Sequence, residues 1–275
     1  MARHLIQGRE IAIPVRIRDA TACGASYLVR ADAARAVIAY SGMDVAEVLP
    51  GKALCTLVFV SYTDGDLGAY QEFGVTFLVR RPGERPVRHL EEGPVRHFGE
   101  RPVRQPGEGP DRRPGEGPPV RRGLLGRLSG LRQAGAFVHW LPVDQGFTLE
   151  AGRTIWGFPK ELADIDLRLT SPYKRCILRK DGRLVLDLLV RPGAPVLAGG
   201  TMAAPDAYSH QDGVTRRIPW SVSARGVRAR PGGALIRLGN HPVAKELSEL
   251  GLPRRALMTT TVSHLAMAFD AAEDI

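Results

Sequence analysis

Lysine is scarce in this chain: of 38 basic side chains, 33 are arginine and 5 are lysine. Cysteine is scarcer, with three residues, Cys23, Cys55 and Cys176. They are widely spaced and form no C-x-x-C pair, which argues against a disulfide framework or a cysteine zinc site. A reducing cytoplasm is the expected home. No apolar run approaches the roughly 20 residues that cross a bilayer. The opening "MARHLIQGREIAIPV" has no apolar stretch long enough for a signal peptide, so no membrane partner is expected. Also missing are G-x-G-x-x-G after a strand, the phosphate-binding G-x-x-x-x-G-K-[ST], H-E-x-x-H and G-x-S-x-G. The seven histidines do not cluster. His139 and His264 lie in apparent strands and read as interior side chains. Metal catalysis and Ser-His hydrolysis therefore have little support.

The formal charge of +9 suggests a nucleic-acid partner until it is located. Between Arg80 and Gln133 there are 13 arginines against 7 acidic residues, so most of the excess belongs to one segment. That segment repeats units such as G-E-R-P-V-R and G-E-G-P, and holds 9 prolines and 7 glycines between Pro82 and Pro119. Proline lacks the amide donor and glycine costs backbone entropy, so neither a helix nor a ladder is expected through it. It has almost no large apolar side chains to offset ordering. It reads as a disordered insert at about 81–133, with polyproline character, in one domain spanning 1–275. A basic arm for an acidic partner is the functional alternative, with salt-sensitive binding. Nucleic acid is otherwise not an expected partner. Leu124, Leu128 and Leu131, at helical spacing, read as no more than a docking turn.

The flanking halves have the composition of a packed domain. "ASYLVRA", "ALCTLVFVSY", "LGAYQEFGVTFLVRR", "AGAFVHWLPVD" and "TTTVSHLAMAF" read as strands. "DAARAVIAYSG" reads as a helix with Asp32 at its N-cap, and "HPVAKELSELG" as a helix closing at Gly251. Asp181-Gly182 between apolar runs predicts a hairpin, because type I′ turns require positive φ. Many strands and few short helices predict a mainly β, α+β fold with an antiparallel sheet, curled into a barrel. The insert interrupts it after "GVTFLVRR", at a hairpin or crossover loop.

One lysine stands out in "RTIWGFPKELADIDL". Lys160 follows Trp156, Gly157, Phe158 and Pro159. An exposed lysine titrates near pH 10.4, so roughly one in 2500 is a free amine at pH 7. A nucleophilic lysine needs desolvation or a nearby cation. Trp156 and Phe158 could supply apolar surroundings, as pocket walls or as ordinary core. A lysine whose stem lies along a strand edge is the plain alternative.

"GRTIWGFPKEL" resembles the aromatic-Pro-Lys segment of the acetoacetate decarboxylase family. The resemblance puts Lys160 on the position that forms a Schiff base with a β-keto acid. "GAYQEFGV" is similar to the segment carrying an active-site glutamate, which puts Glu72 there. "YLVRADAARAVI" is similar to the segment carrying an active-site arginine, which puts Arg30 there. "LMTTTVSHLAMAFDAAEDI" resembles the last strand more weakly. The resemblance covers nearly all the chain outside about 81–133.

The resemblance implies a closed antiparallel β-barrel with flanking strands and short helices. It implies a lyase decarboxylating acetoacetate or a related keto acid, with no metal or organic cofactor because the lysine is the electron sink, and a homo-oligomer. Arg30 would bind the substrate carboxylate or orient Glu72; Glu72 would position groups or transfer protons. In the decarboxylases a second lysine directly follows the first; here it is Glu161, counted with the substrate pocket. Strand neighbours point to opposite faces, so Glu161 need not approach Lys160. Aldolase or dehydratase chemistry on another keto acid is the rival enzymatic reading. A barrel that binds a small carboxylic acid without turnover is the non-enzymatic one.

Overall fold

The computed structural model describes residues 2–81, 134–170, 172–196 and 201–275, with the backbone alone at 201–203. The repetitive segment from 82 to 133 lies outside the described residues, as do the expectations made for it, Leu124, Leu128 and Leu131 included.

The chain opens with β1 (Arg3–Ile6), β2 (Arg9–Ala12) and the long β3 (Val15–Arg30). Helix α1 (Ala31–Ile38) and the short β4 (Asp44–Val45) and β5 (Glu47–Leu49) lead to β6 (Lys52–Gly65) and β7 (Tyr70–Arg80). After the insert come β8 (Gly135–Val143), helix α2 (Gly146–Trp156), β9 (Lys160–Leu162), β10 (Asp164–Arg168), β11 (Lys174–Lys180) and β12 (Arg183–Val190). Next are β13 (Ala194–Pro195), β14 (Thr201–Ala203), β15 (Ala207–Gln211), β16 (Val214–Ile218), β17 (Trp220–Arg225), β18 (Arg228–Pro231) and β19 (Ala234–Leu238). Helix α3 (Pro242–Glu249), β20 (Met258–Val262), β21 (His264–Phe269) and β22 (Glu273–Asp274) complete the order.

The mainly β, α+β expectation holds, with three short α-helices among the described residues. The closed barrel does not. The main sheet runs β13-β18-β20-β3-β6-β7-β8-β15-β16-β22, and its first and last strands do not pair. The reason lies along β3. Residues 22–26 pair with β20 and residues 15–17 pair with β21. The sheet forks at Ser263, one branch continuing through β18 to β13 and the other through β17 to β14. "TTTVSHLAMAF" is therefore two strands rather than one. A separate sheet, β10-β11-β12-β19, covers part of the main one.

Side chains alternate faces along a strand, and both faces of the central sheet are packed. Tyr27, Val29, Cys55, Leu57, Phe73 and Val75 face a core shared with Cys176 and Leu178 of β11 and Leu186 and Leu188 of β12. Ala20, Ala22, Val60, Tyr62 and Tyr70 face a second core, with the β1–β2 hairpin, α2 and β21. Burial on both sides explains the nearly continuous apolar run of β6.

Local expectations fare unevenly. The hairpin between β11 and β12 turns at Asp181 (φ 49°) and Gly182 (φ 71°), as Asp-Gly requires. Gly251, at φ 96°, closes α3 with its N–H on Ser248 O. Asp32 is not an N-cap: α1 starts at Ala31 behind Arg30, and the Asp32 carboxylate accepts from the N–H of Ala33 instead. Strands β7 and β8 pair antiparallel with Val79 opposite Gly135, so the insert spans a hairpin connection.

Candidate active site

The site is assembled by one crossover. Strands β8 and β9 are parallel neighbours, with Leu141 opposite Lys160. Parallel neighbours cannot be joined by a tight turn, and α2 makes the return. The sequence of that return explains its shape. Gly157 takes the left-handed conformation (φ 63°) that ends α2, its N–H bonding to Arg153 O while the N–H of Phe158 bonds to Gly152 O. Pro159 follows two residues later, where a helix can no longer continue. Lys160 is then the first residue of β9 and turns inward, while Glu161 turns outward.

Lys160 is 3% exposed and Glu72 8%. Nζ of Lys160 donates to Glu72 Oε2 at 2.7 Å. The Tyr62 hydroxyl donates to Glu72 Oε1 at 2.8 Å, so both carboxylate oxygens have donors. Tyr62 and Tyr70 lie opposite each other on β6 and β7 and stack with ring centroids 4.1 Å apart. Nζ of Lys160 lies 5.1 Å from the Tyr70 ring centroid, within cation–π range. Burial, followed by the charge of Glu72, holds both phenols well above the ordinary tyrosine value. Both stay protonated through the neutral range, and Tyr62 stays a donor.

The expected residues separate. Lys160 and Glu72 are brought together from positions 88 residues apart. Trp156 and Phe158 are buried in the second core, which also holds Tyr62 and Tyr70. Trp156 Nε1 donates to Asp270 O at 2.8 Å, and its ring lies 5.8 Å from that of Phe158. Glu161 is on the other side of β9, where Oε2 accepts from Trp140 Nε1 at 2.9 Å and pairs with Lys180 at 3.5 Å. Its carboxylate is thus turned from Lys160. Arg30 is 65% exposed and pairs with Asp32 at 3.5 Å. Ala22, not Arg30, is level with Val60 and Glu72 across the sheet. Arg30 lies eight residues further along β3, about 26 Å of strand.

Tyr62 and Tyr70 are functional candidates that sequence reasoning missed. The signal for Tyr70 is its spacing: Tyr70 and Glu72 are two apart on one strand and so share a face. Among the described residues there is no group of three or more His, Cys, Asp or Glu suited to a metal ion. No described helix is long and apolar enough to cross a membrane.

Residues 5–272 match the family described as acetoacetate decarboxylase. The chain belongs to that family. No curated protein matches the sequence. Among solved structures the chain is similar to an acetoacetate decarboxylase at TM-score 0.60 and 16% identity, covering 96% of this chain and 90% of the other. It is similar to acetoacetate decarboxylase from Legionella pneumophila at TM-score 0.58 and 16% identity, covering 96% and 88%. It is also similar to the enduracididine biosynthesis enzyme MppR, complexed with the condensation product of pyruvate and imidazole 4-carboxaldehyde. That match has TM-score 0.59 and 12% identity, covering 96% and 90%. At such identities the likeness is one of fold. Membership of the acetoacetate decarboxylase family supports an enzyme of the Schiff-base decarboxylase or related lyase kind.

Proposed function

We propose that this protein is a Schiff-base-forming carbon–carbon lyase that decarboxylates a small β-keto acid, acetoacetate or a relative, through an imine on Lys160. The observation that carries the reading is a buried lysine amine 2.7 Å from a buried carboxylate, at the position the family motif marks. A charged pair with no catalytic task is costly to bury, and apolar residues of similar volume serve stability as well or better.

The steps follow from the groups present. Nζ must be neutral to attack, and Glu72 Oε2 is within direct proton-transfer distance. The Nζ electron pair then adds to the ketone carbon while the ketone oxygen takes a proton. Loss of that oxygen as water leaves a protonated imine. The bond to the substrate carboxylate breaks, its electron pair enters the imine to form an enamine, and CO2 departs. The enamine carbon takes a proton, and water hydrolyses the resulting imine to release the ketone and the free amine. Trp156 and Phe158 line the buried surroundings that desolvate the lysine. As a member of this family the chain is also proposed to act in the cytoplasm as a homo-oligomer.

A second reading keeps the imine and changes its fate. The family's second lysine is replaced by Glu161, which is turned from the site, so no neighbouring ammonium accompanies Lys160 on β9. That favours an aldolase or dehydratase, in which the enamine attacks an aldehyde, as the ligand described for MppR illustrates in that protein. The two are separated by assaying CO2 release from acetoacetate and condensation of pyruvate with an aldehyde. The decarboxylase reading expects CO2 release that Lys160→Arg abolishes. Condensation without CO2 release would replace it with the second reading. Carbonyl-ligand binding without either product would favour a non-catalytic protein.

A further inference from the structure

The catalytic lysine needs a seat, and α2 carries a residue whose composition only that need explains. Gly152 is in the interior of the helix Gly146–Trp156. Glycine is the poorest helix former after proline. It is not among the residues of positive φ, so its backbone conformation does not call for glycine. What calls for it is Lys160. A Cβ built on Gly152 would lie 2.5 Å from both Cδ and Cε of Lys160 and 3.2 Å from Cγ. The methylene stem of the lysine passes through the space where any other side chain would begin.

The next residue of the helix holds the other end of the same lysine. Arg153 Nε donates to the Lys160 backbone carbonyl at 2.8 Å. The partner of Nζ is fixed too, because the Tyr62 hydroxyl holds the second oxygen of Glu72. With the lysine backbone clamped and the carboxylate tethered, the lysine side chain has to change its path to make room for a Cβ at position 152.

We propose that Gly152 is a positioning residue for imine formation: the notch it leaves in α2 directs Nζ of Lys160 to Glu72, with Arg153 fixing the lysine backbone. This rests on the Schiff-base reading for its catalytic consequence but not for its geometry. The test is Gly152→Ala in the full chain, read by thermal unfolding, crystal structure and steady-state kinetics. Alanine improves helix propensity, but overpacking against the lysine stem and a broken buried pair outweigh that gain, so the melting temperature is expected to fall while Nζ moves out of hydrogen-bond reach of Glu72. Misplacement on this scale costs on the order of 10²-fold in kcat, with KM unchanged. A purely structural glycine would lower the melting temperature as well but leave the Nζ–Glu72 contact and kcat alone.

A Gly152→Ala variant that keeps the Lys160–Glu72 contact intact would overturn the inference, as would a broken contact with undiminished kcat. If the wild type turns over neither acetoacetate nor pyruvate with an aldehyde, the proposed function falls, and the crystallographic Nζ–Glu72 distance still decides the seat. If Gly152→Ala does not fold, Lys160→Ala and Glu72→Leu are added to it, so that no buried carboxylate is left unpaired, with the same two changes on the Gly152 background as the folding control. Recovery of folding supports the overlap, and failure to recover rejects it.

Discussion

The ion pairs Arg18–Asp64 and Lys160–Glu72 both close at 2.7 Å, yet the first has side chains 51% and 56% exposed and the second 3% and 10%. At the surface the guanidinium holds Asp64 below the usual carboxylate range through direct hydrogen bonds. Such solvent-screened pairs contribute little and weaken with salt. Inside, each ion loses its hydration, and only a tight geometry with a hydrogen bond to each carboxylate oxygen helps to offset that. Glu72 meets the condition with Lys160 on one oxygen and Tyr62 on the other. The difference accounts for the choice of side chain. Of the five lysines, Lys52, Lys174 and Lys180 are half-buried, Lys245 is exposed, and Lys160 alone is buried. Arginine provides charge across the surface, because it stays protonated and binds carboxylates with two donors. A residue that must shed its proton to become a nucleophile has to be lysine.

The sharpest break of the comparison comes from removing one partner of the inner pair. Lys160→Met abolishes turnover and leaves Glu72 buried and unpaired, at a cost of about 3–5 kcal/mol in urea unfolding. Adding Glu72→Leu is expected to recover most of that stability without recovering activity. If the single variant is as stable as the wild type, the buried Glu72 carboxylate does not depend on Lys160 in the way described. Tyr62→Phe comes next: it keeps the ring stack on Tyr70 but deletes a hydrogen bond to a charged group, for a loss of about 1.5–3 kcal/mol. Arg18→Ala should shift the urea midpoint much less than either, with the difference shrinking in high salt. Arg30→Ala is the smallest expected effect, leaving kcat/KM unchanged; a large drop would return Arg30 to the site despite its exposed position.

What is legible in the sequence tracks the range of the interactions involved. Strands with strong β-formers and the Asp181-Gly182 turn are determined by neighbours in the chain, and they are legible. Lys160 and Glu72 are legible through family motifs rather than through local chemistry. Helix α2 is not. "GFTLEAGRTIW" carries two glycines and the β-branched Thr148, Thr154 and Ile155, a poor helical composition. It is held by burial of Ala151, Ile155 and Trp156 against the second core, a tertiary effect. Gly152 makes sense only with Lys160 lying across it. The exposed Arg30 shows a different limit. A motif match fixes a residue's order in the chain but not its height on a strand of 16 residues. The fork at Ser263, which keeps the sheet open, depends on pairings between residues more than 200 positions apart.

The central claim is that the amine of Lys160 forms an imine with a keto acid. Incubation with acetoacetate, and separately with pyruvate, followed by sodium borohydride, intact mass measurement and peptide mapping, addresses it directly. The account predicts a reduced adduct on Lys160 with at least one of the acids, absent in Lys160→Arg. An unmodified Lys160 under both acids, or an adduct that persists in Lys160→Arg, would contradict it.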